Sequence, residues 1–275
     1  MSRVGWTLHE MLISLFLMGL VLGLVSHSSL QQLRFYRSAG ELVARRVQLG
    51  SASAIAASLL RDISPQDGDI LVADDSALEL RAPIGSAVSC ARTTGHITMP
   101  APSKLTGSTL SAFVETLDVG DRVVALFEDS LGATSLKSSI ASPPAAGPTC
   151  ERFPSAGVTW DVPIQQPLEI PAGAALRFSR PFRLSLYRAS DSRWYLGAKT
   201  WNASAQEFNT IQPIAGPLQA YSSDSSRTGL LFAYSDSTGE ALSNPIDVTR
   251  IAAITITSRA RSSASRATVA LRNVK

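Results

Sequence analysis

A long apolar stretch close to the N-terminus constrains the fold of this chain more than any other feature. The run 11–25 contains no charged residue. A helix over 6–26 would extend ~30 Å at about 1.5 Å per residue, which matches the hydrocarbon core of a bilayer. The five residues before it carry a single arginine, and no clear site for a signal peptidase follows the run. The stretch therefore predicts a single transmembrane helix.

A glutamate lies at the start of this stretch, at position 10. A carboxylate within a membrane helix costs about 2.5–3.5 kcal/mol on insertion scales, so Glu10 needs a partner of opposite charge. Cleavage after Gly5 would create an α-amine at Trp6, four residues before Glu10, and residues at this spacing are neighbours on a helix. The same amine could pair with Glu10 of a neighbouring copy. The residues therefore predict processing at Gly5 and Trp6.

The order of these residues carries a family resemblance. Gly5, an aromatic residue, Thr7-Leu8, then Glu10 and about twenty apolar positions resemble the cleavage and methylation signal of type IV prepilin-like proteins. The resemblance implies that a prepilin peptidase cuts after Gly5 and methylates the new amine of Trp6. It also implies that Glu10 drives assembly with other pilins or pseudopilins. Trp6 stands where the family usually has Phe, and His9 where it usually has an aliphatic residue.

An uncleaved signal-anchor is the alternative interpretation of the same residues. In that case Glu10 and His9 lie at the headgroup interface, where charged side chains are tolerated. The remainder of the chain would then be a periplasmic binding module on a single-pass anchor.

The helical pattern continues beyond the membrane stretch. Apolar residues recur at helical spacing from Leu30 to Leu60, with charged residues between them, and Pro65 ends the pattern. We therefore predict a leader at 1–5 and a helix over 6–62, of which 6–26 is transmembrane and 27–62 amphipathic. Two glycines, at 40 and 50, each cost about 1 kcal/mol relative to Ala and would allow a bend.

The residues after the helix read as strands. Short apolar runs of strand length alternate with turn-prone residues, and no further helical pattern of comparable length follows. The predicted strands are 70–73, 77–81, 122–127, 182–187, 194–199, 229–234, 251–257 and 267–272. The sequence therefore predicts an α+β fold, in which the long N-terminal helix packs on a mainly antiparallel sheet of a β-rich head over 63–275.

The later segments extend the resemblance. The helix end at 61–63, the strand 229–234 and the strand 247–251 are similar to larger minor pilins of the W type and to J-type minor pseudopilins of type II secretion. The resemblance implies a minor subunit of a type IV pilus-like filament, acting in filament initiation or at the tip. It implies a single-pass inner-membrane protein with a periplasmic head, which then enters a periplasmic or extracellular filament. The residues do not distinguish pili from secretion or DNA-uptake machines.

A proline-rich stretch over 138–173 differs from the rest of the head. Its seven prolines are too many for central strands, which predicts either a loop within the head or a linker between two lobes. The only two cysteines, Cys90 and Cys150, follow the membrane stretch and would face an oxidising compartment. They are therefore predicted to form a disulfide that staples the loop; two buried thiols are the alternative.

The sequence gives no indication of catalysis. The three histidines, at 9, 27 and 96, are too scattered for a catalytic or metal cluster, and no phosphate loop, nucleophile elbow or Cys-x-x-Cys motif occurs. We therefore expect no enzyme activity, no cofactor and no small-molecule substrate.

Two charged features leave alternatives open. Asp67, Asp69, Asp74 and Asp75 are candidate calcium ligands, although ordinary turn chemistry also accounts for them. The segment after Asp247 carries arginine and lysine but no acidic residue. It could touch nucleic acid or an acidic partner, or it could be an edge hairpin protected by its charges.

Overall fold

The computed structural model describes residues 8–102, 110–129, 132–150, 153, 157–260 and 263–272. The chain begins with one helix, α1 (Leu8–Leu60), of 53 residues, which is ~80 Å long at the standard rise. The helix continues without interruption through Gly40 and Gly50, and open space surrounds both glycines. It ends where the Ile63 amide donates to the Leu60 carbonyl, at 3.2 Å, two residues before Pro65. The long helix predicted from the sequence is thus observed from Leu8 onward.

Strands account for most of the remaining described residues. The first nine are β1 (Ile70–Ala73), β2 (Ala77–Val88), β3 (Thr93–Thr94), β4 (His96–Pro100), β5 (Ser111–Phe113), β6 (Arg122–Asp129), β7 (Gly132–Ser139), β8 (Ala145–Ala146) and β9 (Thr159–Pro163). The others are β10 (Glu169–Ile170), β11 (Ala175–Arg188), β12 (Trp194–Asn202), β13 (Glu207–Phe208), β14 (Gln212–Leu218), β15 (Leu230–Ser235), β16 (Ala241–Leu242), β17 (Ala253–Ala260) and β18 (Ser263–Ala270). A 3-10 turn covers Val248–Arg250. The fold is α+β.

Two long antiparallel strands, β2 and β11, form the spine of the head. They pair from Ala77 with Ser185 to Val88 with Ala175. Near the end of the helix, β1 pairs with β2 on one side of the spine. On the other side β12 pairs with β11, and β14 pairs with β12. At the other end of the spine, β5 pairs with β2, β6 pairs with β11, and β7 pairs with β6. The spine therefore runs through two lobes, which we call the helix-proximal lobe and the distal lobe.

The helix-proximal lobe contains the contact between helix and sheet. A second antiparallel sheet, ordered β16-β15-β17-β18, continues from β14, because the Gln219 amide donates to the Arg259 carbonyl at 2.9 Å. The helix packs on β14, β17 and β18. A hydrophobic core forms between them, and its largest fully buried members include Leu60, Leu78, Leu184 and Phe232.

The distal lobe has its own core, around Phe178, Ile97, Met99 and Ile140. A three-stranded sheet, ordered β4-β9-β8, covers this core. The prediction that the proline-rich stretch is unsuited to central strands is wrong at β9, which lies between β4 and β8. The reason is placement, since Pro163 is the last residue of β9 and the other prolines fall outside it.

A proline also lies inside the spine itself. Pro181 in β11 pairs with Arg81 on β2. On the side away from β2, β11 pairs with β6 up to Ser179 and with β12 from Phe182 onward. Pro181 lies between these two ladders. The missing N–H therefore removes no hydrogen bond from either of those two ladders.

Candidate functional site

The exposed part of α1 is the most prominent surface of the molecule. The segment Met11–Gly40 is long and apolar enough to cross a membrane; its most apolar stretch has a mean hydropathy of 2.0, and none of that stretch is buried. The segment would extend ~45 Å at the standard rise. The exposed apolar side chains occupy successive positions and therefore all sides of the helix, which suits lipid or a bundle of helices. They include Met11, Leu12, Ile13, Leu15, Phe16, Leu17, Met18, Leu20, Val21, Leu22, Leu24 and Val25.

One of the three residues assigned to processing and assembly lies in the described part of the chain. Gly5 and Trp6 lie outside the described residues. Glu10 lies in the first turn of α1.

The last third of α1 is seated on the head by one narrow face. Leu49, Ala52, Ser53, Ala56 and Leu60 are buried, and this spacing of three and four residues defines one side of a helix. Three of the five are small, so the helix backbone approaches the sheet closely. The opposite side of the helix, with Ser51, Ala54, Ile55 and Ser58, stays exposed, and Ala57 and Leu59 at the edges of the seat are partly buried.

Three serines form a polar contact within the seat. The Ser53 hydroxyl lies 3.1 Å from the Ser258 hydroxyl on β17 and donates to the Ser265 hydroxyl on β18, at 3.2 Å. The Ser258 hydroxyl also donates to the Leu49 carbonyl, at 3.3 Å. Buried hydroxyls require partners at defined positions, so these bonds fix the register of the helix against the sheet.

A group of charged residues surrounds the loop that follows the helix. We call it the waist cluster, because it lies where the two lobes of the head meet. Its members are Asp67, Asp69, Arg81, Arg122, Lys137 and Arg177.

Arg177 on β11 makes the shortest ion pair of the waist cluster. It lies 2.8 Å from Asp69 and 3.5 Å from Asp67, and it donates to the Asp62 carbonyl at 2.8 Å. Lys137 on β7 lies 3.2 Å from Asp67. The Asp69 side chain is 1% exposed, so its charge depends on these partners.

Arg122 at the start of β6 holds the same loop through its backbone. Its guanidinium donates to the Gly68 carbonyl at 3.0 Å and to the Asp67 carbonyl. Burial lowers the pKa of Arg122, and the neighbouring Asp69 partly offsets this effect. The waist cluster thereby joins the end of α1 to strands of both lobes.

The four aspartates considered as calcium ligands are separated by the fold. Asp67 and Asp69 face arginine and lysine in the waist cluster. Asp74 and Asp75 are exposed in the β1–β2 turn, where their carbonyls accept from the Tyr234 hydroxyl and the Phe232 amide, both at 2.7 Å. Within the described residues, no group of three or more His, Cys, Asp or Glu side chains could hold a metal ion.

A disulfide joins Cys90 to Cys150, with 5.1 Å between their Cα atoms. Cys90 follows β2, and Cys150 lies in the proline-rich stretch between β8 and β9. The bond therefore fixes that stretch to the distal lobe, as expected for a loop within the head.

A second arginine fixes the 115–121 loop to the spine. Arg180 on β11 donates to Asp121 at 2.7 Å, and it lies 3.0 Å from both Glu115 and Asp118. The hydrogen bond with Asp121 is the main reason that the pKa of Arg180 is raised.

These ionic contacts were not predicted from the sequence. The available signal was the placement of Arg177 and Arg180 among the apolar residues at the start of β11, where a buried arginine requires an anionic partner. Their partners could not be named, because Arg177 and Asp67, for example, are 110 residues apart.

Comparison of the chain with protein-family models, curated proteins and solved structures finds no match. The layout of an exposed apolar N-terminal helix followed by a β-rich head is compatible with that of pilin-like proteins.

Proposed function

We propose that this chain is a minor pilin or pseudopilin, a subunit of a type IV pilus-like filament. The observation that carries the proposal is the exposed apolar part of α1, residues 11–25, on a helix whose C-terminal third is seated in a β-rich head. A surface that is apolar on every side needs lipid or other helices around it. A helix that lies first in the membrane and then in a bundle of helices is surrounded by lipid before assembly and by other helices after it.

Assembly requires the helix to move from lipid into the bundle. Lipid tails and helix side chains are similarly apolar, so this transfer depends on packing and on polar contacts rather than on the hydrophobic effect. Glu10 supplies such a contact when it pairs with the α-amine of Trp6, on the same or a neighbouring subunit. The pair leaves neither charge alone in an apolar environment.

The head follows the helix as a rigid body in this mechanism. The serine contacts at Ser53 fix the helix on the sheet, and Arg177 fixes the loop that ends the helix. The position of α1 in the bundle therefore sets the position of the head. The head then determines which subunits adjoin this one, as expected of a subunit that initiates the filament or lies at its tip.

Processing of the N-terminus tests the proposal. The chain is recovered from its native membrane, and its intact mass and N-terminal sequence are determined. We expect a chain that begins at N-methylated Trp6, the product of a prepilin peptidase. A chain that begins at Met1 or Ser2 would contradict the proposal and would favour a periplasmic binding module on an uncleaved anchor.

A further inference from the structure

A small cavity opens beside the waist cluster. Its volume is about 220 Å³, and it is bounded by segments that are far apart in the sequence: β2, the start of β6, the end of β7 and the residues after β9. Among the residues that the structure describes, no carboxylate lines it. The lining residues are Arg81, Arg122, Lys137, Ser138, Ser139, Gln165 and Gln166.

Arg81 lacks a partner in this cavity. Its Nε is buried and makes no hydrogen bond, and the described part of the chain offers its guanidinium no carboxylate within 4 Å. Burial lowers the pKa of Arg81, and so does the charge of the nearby Arg122, while the charges of Asp69 and Glu79 act in the opposite direction without cancelling these effects. A guanidinium nevertheless stays protonated at neutral pH. Arg81 is thus a partly desolvated cation with an unused donor at Nε.

The surroundings of Arg81 do not balance its charge. The waist cluster contains four cations, Arg81, Arg122, Lys137 and Arg177, and two anions, Asp67 and Asp69, which leaves a surplus of two positive charges. A third carboxylate, that of Glu79, raises the pKa of Arg81 only as a minor effect. It lies 3.9 Å from a different arginine, Arg183.

Several other donors face the same cavity. Lys137 uses its ammonium for the Gln66 carbonyl, at 3.1 Å, and for Asp67, at 3.2 Å, and an ammonium has three N–H groups. The Ser139 hydroxyl and the side-chain amides of Gln165 and Gln166 add neutral donors. Guanidinium groups combined with hydroxyl and amide donors suit an oxyanion, because a guanidinium can donate two parallel hydrogen bonds to a phosphate.

We propose that this cavity is a binding site for a small oxyanion of the phosphate class, held chiefly by Arg81 with Lys137. The anion offsets the surplus charge of the waist cluster and accepts hydrogen bonds from the cationic side chains that line the cavity. The volume admits one phosphate group, and the open mouth leaves room for an ester substituent that points to solvent.

The position of the cavity argues for a soluble anion. It adjoins the loop after Leu60, and twenty helical residues separate Leu60 from Gly40, the last residue of the candidate membrane span. Twenty residues of helix span ~30 Å. A lipid headgroup at the membrane surface therefore lies out of reach, and the source is free phosphate or a soluble phosphate monoester.

Calorimetric titration of the full chain in detergent tests this site. Inorganic phosphate and glycerol 3-phosphate are titrated separately at constant ionic strength, with sodium chloride as the reference. We expect saturable binding of phosphate with one site per chain. Competition by glycerol 3-phosphate would identify a monoester as the source, and binding of inorganic phosphate alone would identify the free anion; both results support the site.

Three variants assign the binding to this cavity. Arg81→Met should weaken phosphate binding at least about tenfold, since it removes charge-assisted hydrogen bonds. Lys137→Met, which does not alter the spine, should weaken binding in the same direction and serves if Arg81→Met does not fold. Arg227→Met makes the same change of charge at a side chain that is 81% exposed in a loop, and should leave the affinity unchanged.

Two results would overturn the site. One is the absence of saturable phosphate binding to the unaltered chain up to about 20 mM, a concentration at which a site with a dissociation constant of about 1 mM is almost fully occupied. The other is saturable binding that Arg81→Met and Lys137→Met leave unchanged, or that Arg227→Met weakens as much as they do.

Discussion

Arg177 and Asp69 join the strand shared by both lobes to the loop that ends the helix, with 2.8 Å between guanidinium and carboxylate. The Asp69 side chain is 1% exposed and the Arg177 side chain 17% exposed, so water screens this pair little. One Asp69 oxygen, Oδ1, is buried without a hydrogen bond, and its nearest cation is Arg122, at 4.0 Å. Arg177 is thus the principal partner of a buried negative charge.

Removal of Arg177 should destabilise the head. Arg177→Met leaves the Asp69 carboxylate buried with its main partner gone, and such a change costs about 3 kcal/mol. The free energy of unfolding, measured by chemical denaturation of the full chain in detergent, should fall by that order. Arg183→Met is the matched control on the same strand, because Arg183 is 42% exposed and only 3.9 Å from Glu79. It should cost less than about 1 kcal/mol, and equal losses for the two variants would contradict the role given to Arg177.

The helix seat should tolerate no larger side chain. Ala56 is fully buried where α1 meets the sheet, and insertion of a leucine side chain at such a site typically costs about 1–3 kcal/mol. Ala56→Leu should therefore lower the free energy of unfolding by about that amount. Ala54→Leu, two residues earlier and exposed, should leave it nearly unchanged. A similar loss at both positions would show that the helix is not seated by the face described.

Glu10 should be required for assembly but not for processing. If the proposed pairing holds, Glu10→Ala removes the carboxylate partner of the α-amine and would leave the amine alone in the bundle. We expect cleavage after Gly5 to persist and incorporation into filaments to fall at least about tenfold, measured by quantifying the subunit in sheared filaments. Glu41→Ala, the same change elsewhere on α1, is the control and should be incorporated normally. Normal incorporation of Glu10→Ala would remove the pairing argument.

The turn after β15 should carry an unusually acidic carboxyl. Hydrogen bonds, chiefly from the Thr238 hydroxyl at 2.7 Å, lower the pKa of Asp236 to about 2. Because the folded pKa lies below the ordinary value, the stabilisation from this carboxylate is complete above about pH 4 and is lost as the pH falls through about 2. Thr238→Val should raise the pKa of Asp236, measured by NMR titration of the side-chain carbonyl. Asp247, whose pKa is lowered mainly by Thr249, should keep its value, and an unchanged pKa at Asp236 would contradict the assignment to Thr238.

Local patterns predicted the long helix and parts of eight strands, whereas ten of the described strands, β7 and β14 among them, were not predicted, and the strand predicted over 247–251 is a 3-10 turn. The strand β2 extends seven residues past its predicted end, and β11 begins seven residues before its predicted start. The helix and the β1–β2, β11–β12 and β17–β18 hairpins occur where they were predicted. Each depends on residues near one another in the chain, namely apolar periodicity, turn residues and the proline that ends a helix. The central strand β9 was missed because proline content was taken over the whole stretch 138–173, whereas only the residues of the strand itself matter.

The sequence alone determined that the chain has an apolar N-terminal helix long enough to cross a membrane, followed by a β-rich head. Hydrophobic length and period are properties of neighbouring residues, so no knowledge of the fold was needed. Only the tertiary structure decided that two strands run through both lobes, and that Asp67 and Asp69 meet arginine and lysine. It alone placed Arg81 in a cavity without a partner. These contacts join segments far apart in the chain, and burial and charge pairing are set by the packing that brings such segments together.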